Sequence, residues 1–225
     1  MQELIGQIIE ISNTGQFQIK VRCSQNLTVN AGQYFLIEFD PVEGRDPIRR
    51  EVFLSSQLLP NEVVLYGKFF ETATPGNKIK LYGPLGKGFQ KPSGNKLVCV
   101  SLGLNLPILL SAASRYPNPQ QKVVLASNHP IDTSLITENI EIRSMTELHE
   151  LVDWCEDLLV EGMRDGDNIE KIMQIPSVKG INKQTQILID SPMPCHGASD
   201  CGICKIKIWG QRYVICQDGP VIVMV

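Results

Sequence analysis

From Leu4 to about Phe89 the chain runs in short stretches where apolar residues alternate with polar ones: Leu4 to Ile11, Phe17 to Cys23, Gln33 to Phe39, Glu51 to Leu54, Glu62 to Tyr66 and Lys78 to Tyr82. In an extended backbone successive side chains point to opposite faces, so such alternation predicts strands with one buried face. The breaks between them, among them Asn13-Thr14-Gly15, Asn30-Ala31-Gly32 and Pro75-Gly76-Asn77, carry turn residues. Six strands at this spacing predict a small antiparallel barrel.

Beyond Gly88-Phe89 the grammar changes. Lys96 to Leu102 is a nearly continuous apolar run, followed by Gly103 and by Pro107 to Arg115. That order predicts a strand buried on both faces, a turn and a helix. Lys122 to Ala126 is a second buried run, and Gln186 to Ile189 is short enough and β-prone enough to be the last strand of the sheet. Leu148, Leu151, Val152, Cys155, Leu158 and Leu159 are spaced as on an amphipathic helix, predicted over Thr146 to Met163, with Thr146 as its cap. Arg164 to Lys183 is polar and weakly periodic, which suits a loop with one short helix. The expectation is a multidomain α+β chain in three parts: an antiparallel barrel over 1–90, a reduced α/β nucleotide-binding-like domain over 91–190, and a cysteine loop and hairpin over 191–225.

Composition removes several functions. A net charge of −3 and a pI near 5.7 supply no basic field for nucleic acid or an anionic membrane. The first residues show no cationic stretch leading into an apolar one, and no segment approaches about 18 uninterrupted apolar residues. A cytoplasmic protein is expected.

The 7 cysteines are unevenly placed. Cys23, Cys99 and Cys155 sit singly in apolar surroundings and read as small buried hydrophobes. The others, Cys195, Cys201, Cys204 and Cys216, follow C-x5-C-x2-C-x11-C, three on one tight loop and the fourth across a hairpin from Lys205 to Cys216. Two bridged irons need thiolates arriving from different directions, and a loop plus a hairpin supplies them. The spacing resembles the plant-type [2Fe–2S] pattern with one residue added to its first gap. Gly197 and Gly202 allow backbone N–H groups to approach the sulfurs. Zinc is the alternative, although it favours two facing C-x2-C knuckles and this chain has one. A Rieske centre needs two histidines, but His196 adjoins a cysteine while His129 and His149 lie far off in sequence.

At this point the residues resemble a family, the electron-transfer subunit of dihydroorotate dehydrogenase B within the ferredoxin reductase superfamily. Gly83-Pro84-Leu85-Gly86-Lys87-Gly88-Phe89 is similar to its junction between barrel and nucleotide domain. Ser191-Pro192-Met193-Pro194-Cys195 and Cys216-Gln217-Asp218-Gly219-Pro220-Val221 are similar to the segments that open and close its cysteine set, and Ala31-Gly32-Gln33-Tyr34-Phe35 resembles a barrel strand. The resemblance covers nearly the whole chain. It implies FAD in the barrel, a [2Fe–2S] cluster behind it, and a dihydroorotate dehydrogenase catalytic subunit as partner in a hetero-oligomer. On that footing the chain is an oxidoreductase subunit of pyrimidine biosynthesis, active only with its partner and with no catalytic residue of its own.

The family's Arg-Pro-Ile-Ser flavin motif aligns with Arg50-Glu51-Val52-Phe53, and its second flavin contact with Leu65-Tyr66-Gly67. The arginine that would pair with the FAD pyrophosphate is kept, while Phe53 stands at the serine position, either packing on the flavin or leaving the role to Ser55. The resemblance implies electrons running between the partner's flavin, the cluster, FAD and NAD(H), with a nicotinamide or a protein as the outer redox partner, but the nicotinamide side of the chain departs from the family. The turn Ser101-Leu102-Gly103-Leu104-Asn105-Leu106-Pro107 holds one glycine, and in place of a Cys-Gly-Pro-like motif the chain has Trp154-Cys155-Glu156. A protein donor such as ferredoxin could replace the nicotinamide. The rival of a different class is a non-enzymatic adaptor, bearing a cluster or zinc, that has lost nucleotide chemistry.

Overall fold

The computed structural model describes residues 2–13, 17–39, 50–67, 73–114, 120–175, 184–198 and 201–224, with residues 13, 50–53 and 134 described by their backbone. Strands β1 (Glu3–Asn13), β2 (Phe17–Cys23), β3 (Tyr34–Phe39), β4 (Arg50–Leu59), β5 (Glu62–Gly67) and β6 (Lys78–Leu85) close into a barrel in the order β1-β2-β5-β4-β3-β6. All six pairings are antiparallel, as the alternation predicts. The period of two sorts the side chains. Phe35, Ile37, Val63, Leu65, Ile79 and Leu81 fill the barrel, while their neighbours Tyr34, Leu36, Leu54, Tyr66 and Tyr82 turn outward and join the core of the second domain. Tyr34 opposes Leu54, which opposes Tyr66, so these three form one row across β3, β4 and β5.

The second domain is a six-stranded sheet in the order β14-β11-β10-β7-β8-β9. Its members are β7 (Lys96–Ser101), β8 (Lys122–Ser127), β9 (Ile140–Arg143), β10 (Asp157–Met163), β11 (Gln184–Asp190) and β14 (Val221–Met224). All neighbours are parallel except β14, which runs antiparallel along β11. The connecting helices are α1 (Leu106–Ser114), α2 (Leu148–Trp154) and α3 (Gly166–Gln174). Between β11 and β14 stand the hairpin β12 (Lys205–Ile208) and β13 (Gln211–Val214) and the single turn α4 (Ile215–Asp218). Among the described residues no helix is long and apolar enough to cross a membrane.

One expected helix is divided. In place of a helix over Thr146 to Met163, a 3₁₀ turn at Met145–Glu147 leads into α2, which stops at Trp154, and β10 follows. The cap is Ser144, whose hydroxyl accepts from the Thr146 N–H while the Glu147 side chain reaches back to the Ser144 N–H. Leu158, Leu159 and Val160 are buried one after another, which no single helical face can do and a strand between two neighbours does. Cys155 is therefore a buried residue just past α2, its thiol against the Val152 carbonyl at 3.2 Å.

Barrel and sheet are joined through the C-terminal segment. The Lys87 N–H donates to the Gly219 carbonyl at 2.6 Å, Val221 N–H donates to Lys87 at 3.1 Å, and Ile189 N–H donates to Pro220 at 3.0 Å. The link out of the barrel and strand β11 thus hold the same short stretch of chain.

Candidate functional site

The joint creates a cleft of about 560 Å³, lined on the barrel side by Tyr34, Leu36, Leu85 and Gly86 and on the other by Cys195, His196, Gly197, Ala198 and Cys216. Its volume lies in the range of small-molecule sites. Tyr34 comes from the outer face of β3, and its hydroxyl donates to the Cys216 carbonyl at 3.3 Å. The cysteine loop bends sharply: His196 has φ +52° and Gly197 φ +84°, and a Cβ on Gly197 would stand 2.6 Å from the Tyr34 oxygen. Glycine at 197 lets the loop backbone lie against the tyrosine.

Cys204 and Cys216 are buried, and their sulfurs are 3.3 Å apart. A disulfide needs about 2.05 Å, and none of the 7 cysteines forms one. Two sulfurs on one tetrahedral metal at about 2.3 Å from each stand about 3.8 Å apart, so this pair would have to part by about 0.5 Å to share an ion. Cys204 arrives at the start of β12, where Gly202 has φ +69°, and Cys216 lies in α4, held where the Asp218 carboxylate accepts from the Val214 N–H at 2.7 Å. Cys195 is half-buried and lines the cleft beside Cys216, whereas Cys201 is exposed. Among the described residues no group of three or more His, Cys, Asp or Glu side chains is drawn close enough to hold a metal ion. The charges of three cysteines are nevertheless felt at one point. Burial, then Cys216, Cys195 and Cys204, push the Tyr34 hydroxyl up to about 12.

The other expected contacts divide. The side chains of Arg50, Glu51, Val52 and Phe53 lie outside the described residues. Their backbone belongs to β4, whose Glu51, Val52 and Phe53 pair with Ile37, Leu36 and Phe35 of β3. Leu65 is fully buried inside the barrel, so it can meet a ligand only through its backbone. Tyr66 faces outward, buried, with its hydroxyl 3.0 Å from the Ser56 hydroxyl, and Gly67 closes β5. Ser55 is buried and donates to the Gln33 carbonyl at 2.7 Å, so its hydroxyl is already engaged. The aromatic and apolar wall of Tyr34, Leu36 and Leu85 suits a flat ring system. Sequence reasoning did not single out Tyr34 as a site residue. It lies 182 residues from Cys216, and no local pattern connects the two.

The turn after β7 is also built differently from a phosphate cradle. At the C-terminal end of β10 stand Glu161, Gly162 and Met163, whereas Trp154-Cys155-Glu156 lies at the start of that strand. Glu161 is fully buried and accepts from the Ser101 hydroxyl at 2.5 Å, the Gly103 N–H at 3.0 Å and the Asn105 N–H at 3.2 Å. Burial pushes its carboxyl up, against the pull of those three donors.

No protein-family model and no curated protein matches the chain. Solved structures do. An NADH-dependent reduced ferredoxin-NADP oxidoreductase, studied for flavin-based electron bifurcation, superimposes with a TM-score of 0.70 at 14% identity over 97% of this chain and 87% of that one. The flavohem-like FAD/NAD-binding domain of nitric oxide dioxygenase from Vibrio cholerae gives 0.63 at 14% identity, over 84% of this chain and 99% of that one. The ferredoxin reductase of carbazole 1,9a-dioxygenase gives 0.60 at 16% identity, over 84% and 68%. The fold is ferredoxin-reductase-like, a closed barrel followed by an α/β sheet with few helices.

Proposed function

We propose that this chain is an electron-transfer subunit carrying FAD on its barrel and a [2Fe–2S] cluster on Cys195, Cys201, Cys204 and Cys216. Its partner is a dihydroorotate dehydrogenase catalytic subunit of pyrimidine biosynthesis. The observation that carries the reading is the cleft at the barrel–sheet joint, where the outward face of β3 meets Cys195 and Cys216, with the Cys204 sulfur 3.3 Å from that of Cys216. When bound, a flavin exchanges one or two electrons and an iron–sulfur cluster one, so the pair converts two-electron into single-electron traffic. Tyr34 and Gly197 hold the cysteine loop against the barrel wall, and the buried Cys204–Cys216 pair excludes water from that side. Arg50 would hold the flavin's pyrophosphate, with Glu51, Val52, Phe53, Leu65, Tyr66 and Gly67 along the same two strands.

The resemblance in sequence and the flavin-protein neighbours in fold both support this reading. Iron, sulfide and flavin analysis after anaerobic purification tests it. Stoichiometric zinc without iron would end the cluster. Cys204→Ser is expected to abolish iron and sulfide while the flavin absorbance stays. Co-purification with a chain that oxidises dihydroorotate tests the partner. A second reading, the non-enzymatic adaptor, is favoured by the turn after β7, where the single glycine Gly103 gives its N–H to Glu161 rather than leaving it for a nucleotide. Flavin in the purified chain, reducible at a defined rate, would exclude it.

A further inference from the structure

Proteins of this fold include dinucleotide-binding ones, and a dinucleotide's pyrophosphate is ordinarily held where the first strand of an α/β sheet turns into its helix. Backbone N–H groups and the helix's positive end there receive the negative oxygens. In this chain that place lies between the end of β7 at Ser101 and the start of α1 at Leu106. Its donors are spent inside the protein. Glu161 reaches over from β10 and takes the Ser101 hydroxyl and the Gly103 and Asn105 N–H groups, at 2.5, 3.0 and 3.2 Å. Asn105 itself begins the helix, its carbonyl accepting from the Ile108 and Leu109 N–H groups. Its side-chain amide donates at 3.1 Å to a second carboxylate, Asp190, at the end of β11. The turn has also closed down on the carboxyl group, since a Cβ on Gly103 would stand 2.9 Å from Glu161 Oε2.

We propose that Glu161 is a built-in occupant of the dinucleotide phosphate site, so that the α/β domain does not bind NAD(H) or NADP(H). A pyrophosphate entering this turn would have to displace a fully buried carboxyl group from three hydrogen bonds. It would also have to settle beside Asp190. Neither requirement is met by a flexible surface rearrangement, because Glu161 lies within β10, paired with β7 on one side and β11 on the other.

The experiment uses the full chain with whatever it carries on purification. Titrating NADH and ADP into the wild-type protein by calorimetry is expected to show no saturable binding, with any Kd above about 1 mM. Hydrogen exchange at the Gly103 and Asn105 amides is expected to be unchanged by either nucleotide. Glu161→Ala frees the donors, and inorganic pyrophosphate and ADP should then bind about tenfold tighter or more. Saturable wild-type binding of NADH with new protection at Gly103 and Asn105 overturns the proposal, as does a folded Glu161→Ala protein with no gain. If that variant fails to fold, the wild-type exchange measurement decides alone. None of these readings involves iron, sulfide or flavin content, so their outcome stands apart from that of the proposed electron-transfer role.

Discussion

Tyr34 shows how one side chain can belong to two halves of a molecule. Its ring completes the outer row of the barrel with Leu54 and Tyr66, and its hydroxyl meets the carbonyl of Cys216. Among the groups that ionise late in the fold are Tyr34, up to about 12 by burial and the nearby thiolates, and Cys99 and Cys23, up to about 12 and 11 by burial. In an unfolded chain a tyrosine ionises near about 10 and a thiol near about 8.5. The folded groups keep their protons longer, so the stability they contribute is full below those values and is lost as pH rises toward 12. Urea unfolding at stepped pH should therefore show the midpoint falling from about pH 8.5 upward. Tyr34→Phe should start about 1 kcal/mol less stable, for the lost hydrogen bond, and fall less between pH 10 and 12. A wild-type midpoint flat across that window would refute the assignment.

At the scale of elements, what could be read from the sequence was what has a short period. All six barrel strands lie where alternation put them, because each has a core face and a face of different character. The segment from Leu148 to Met163 was not legible: Leu148, Leu151, Val152 and Cys155 keep helical spacing up to the edge of β10, and the strand's continuous burial can be mistaken for more of the same face. Strand β9 escaped because only Ile140 of its four residues is buried. Helix α3 was expected as one short helix in a polar stretch, and its N-terminus rests on Asp165, which accepts from the Asn168 N–H at 2.7 Å. That hydrogen bond holds the Asp165 carboxyl below the usual carboxylate range. Its contribution is present above the ordinary aspartate pKa and is lost as pH falls through the lowered one. Asp165→Ala should cost about 1 kcal/mol near neutral pH and progressively less in acid, measured as a difference in urea midpoints. Equal loss at pH 7 and in strong acid would show that the cap contributes by some other route.

For the molecule as a whole, the decisive contacts join residues far apart in the chain, which is why the spacing of the cysteines could not reveal the cleft that Cys195 and Cys216 line with Tyr34. The same applies to Glu161, sixty residues from the hydroxyl of Ser101 that it accepts. Gly32 marks a close approach of barrel and sheet: it has φ +89°, and a Cβ there would lie 2.8 Å from Val221 Cγ2 on β14 and 3.3 Å from Leu188 Cδ1 on β11. Gly32→Ala therefore pushes the two halves apart in addition to straining the turn, and should cost more than about 1 kcal/mol. Val221→Ala removes the methyl groups it would strike, at the expense of a small cavity. If the clash is what matters, the double variant recovers part of the loss, with a coupling of at least about 0.5 kcal/mol in a double-mutant cycle. Strictly additive costs would mean that the backbone angle at Gly32 carries the whole effect, and that the joint between barrel and sheet is looser than the packing of Val221 against Gly32 requires.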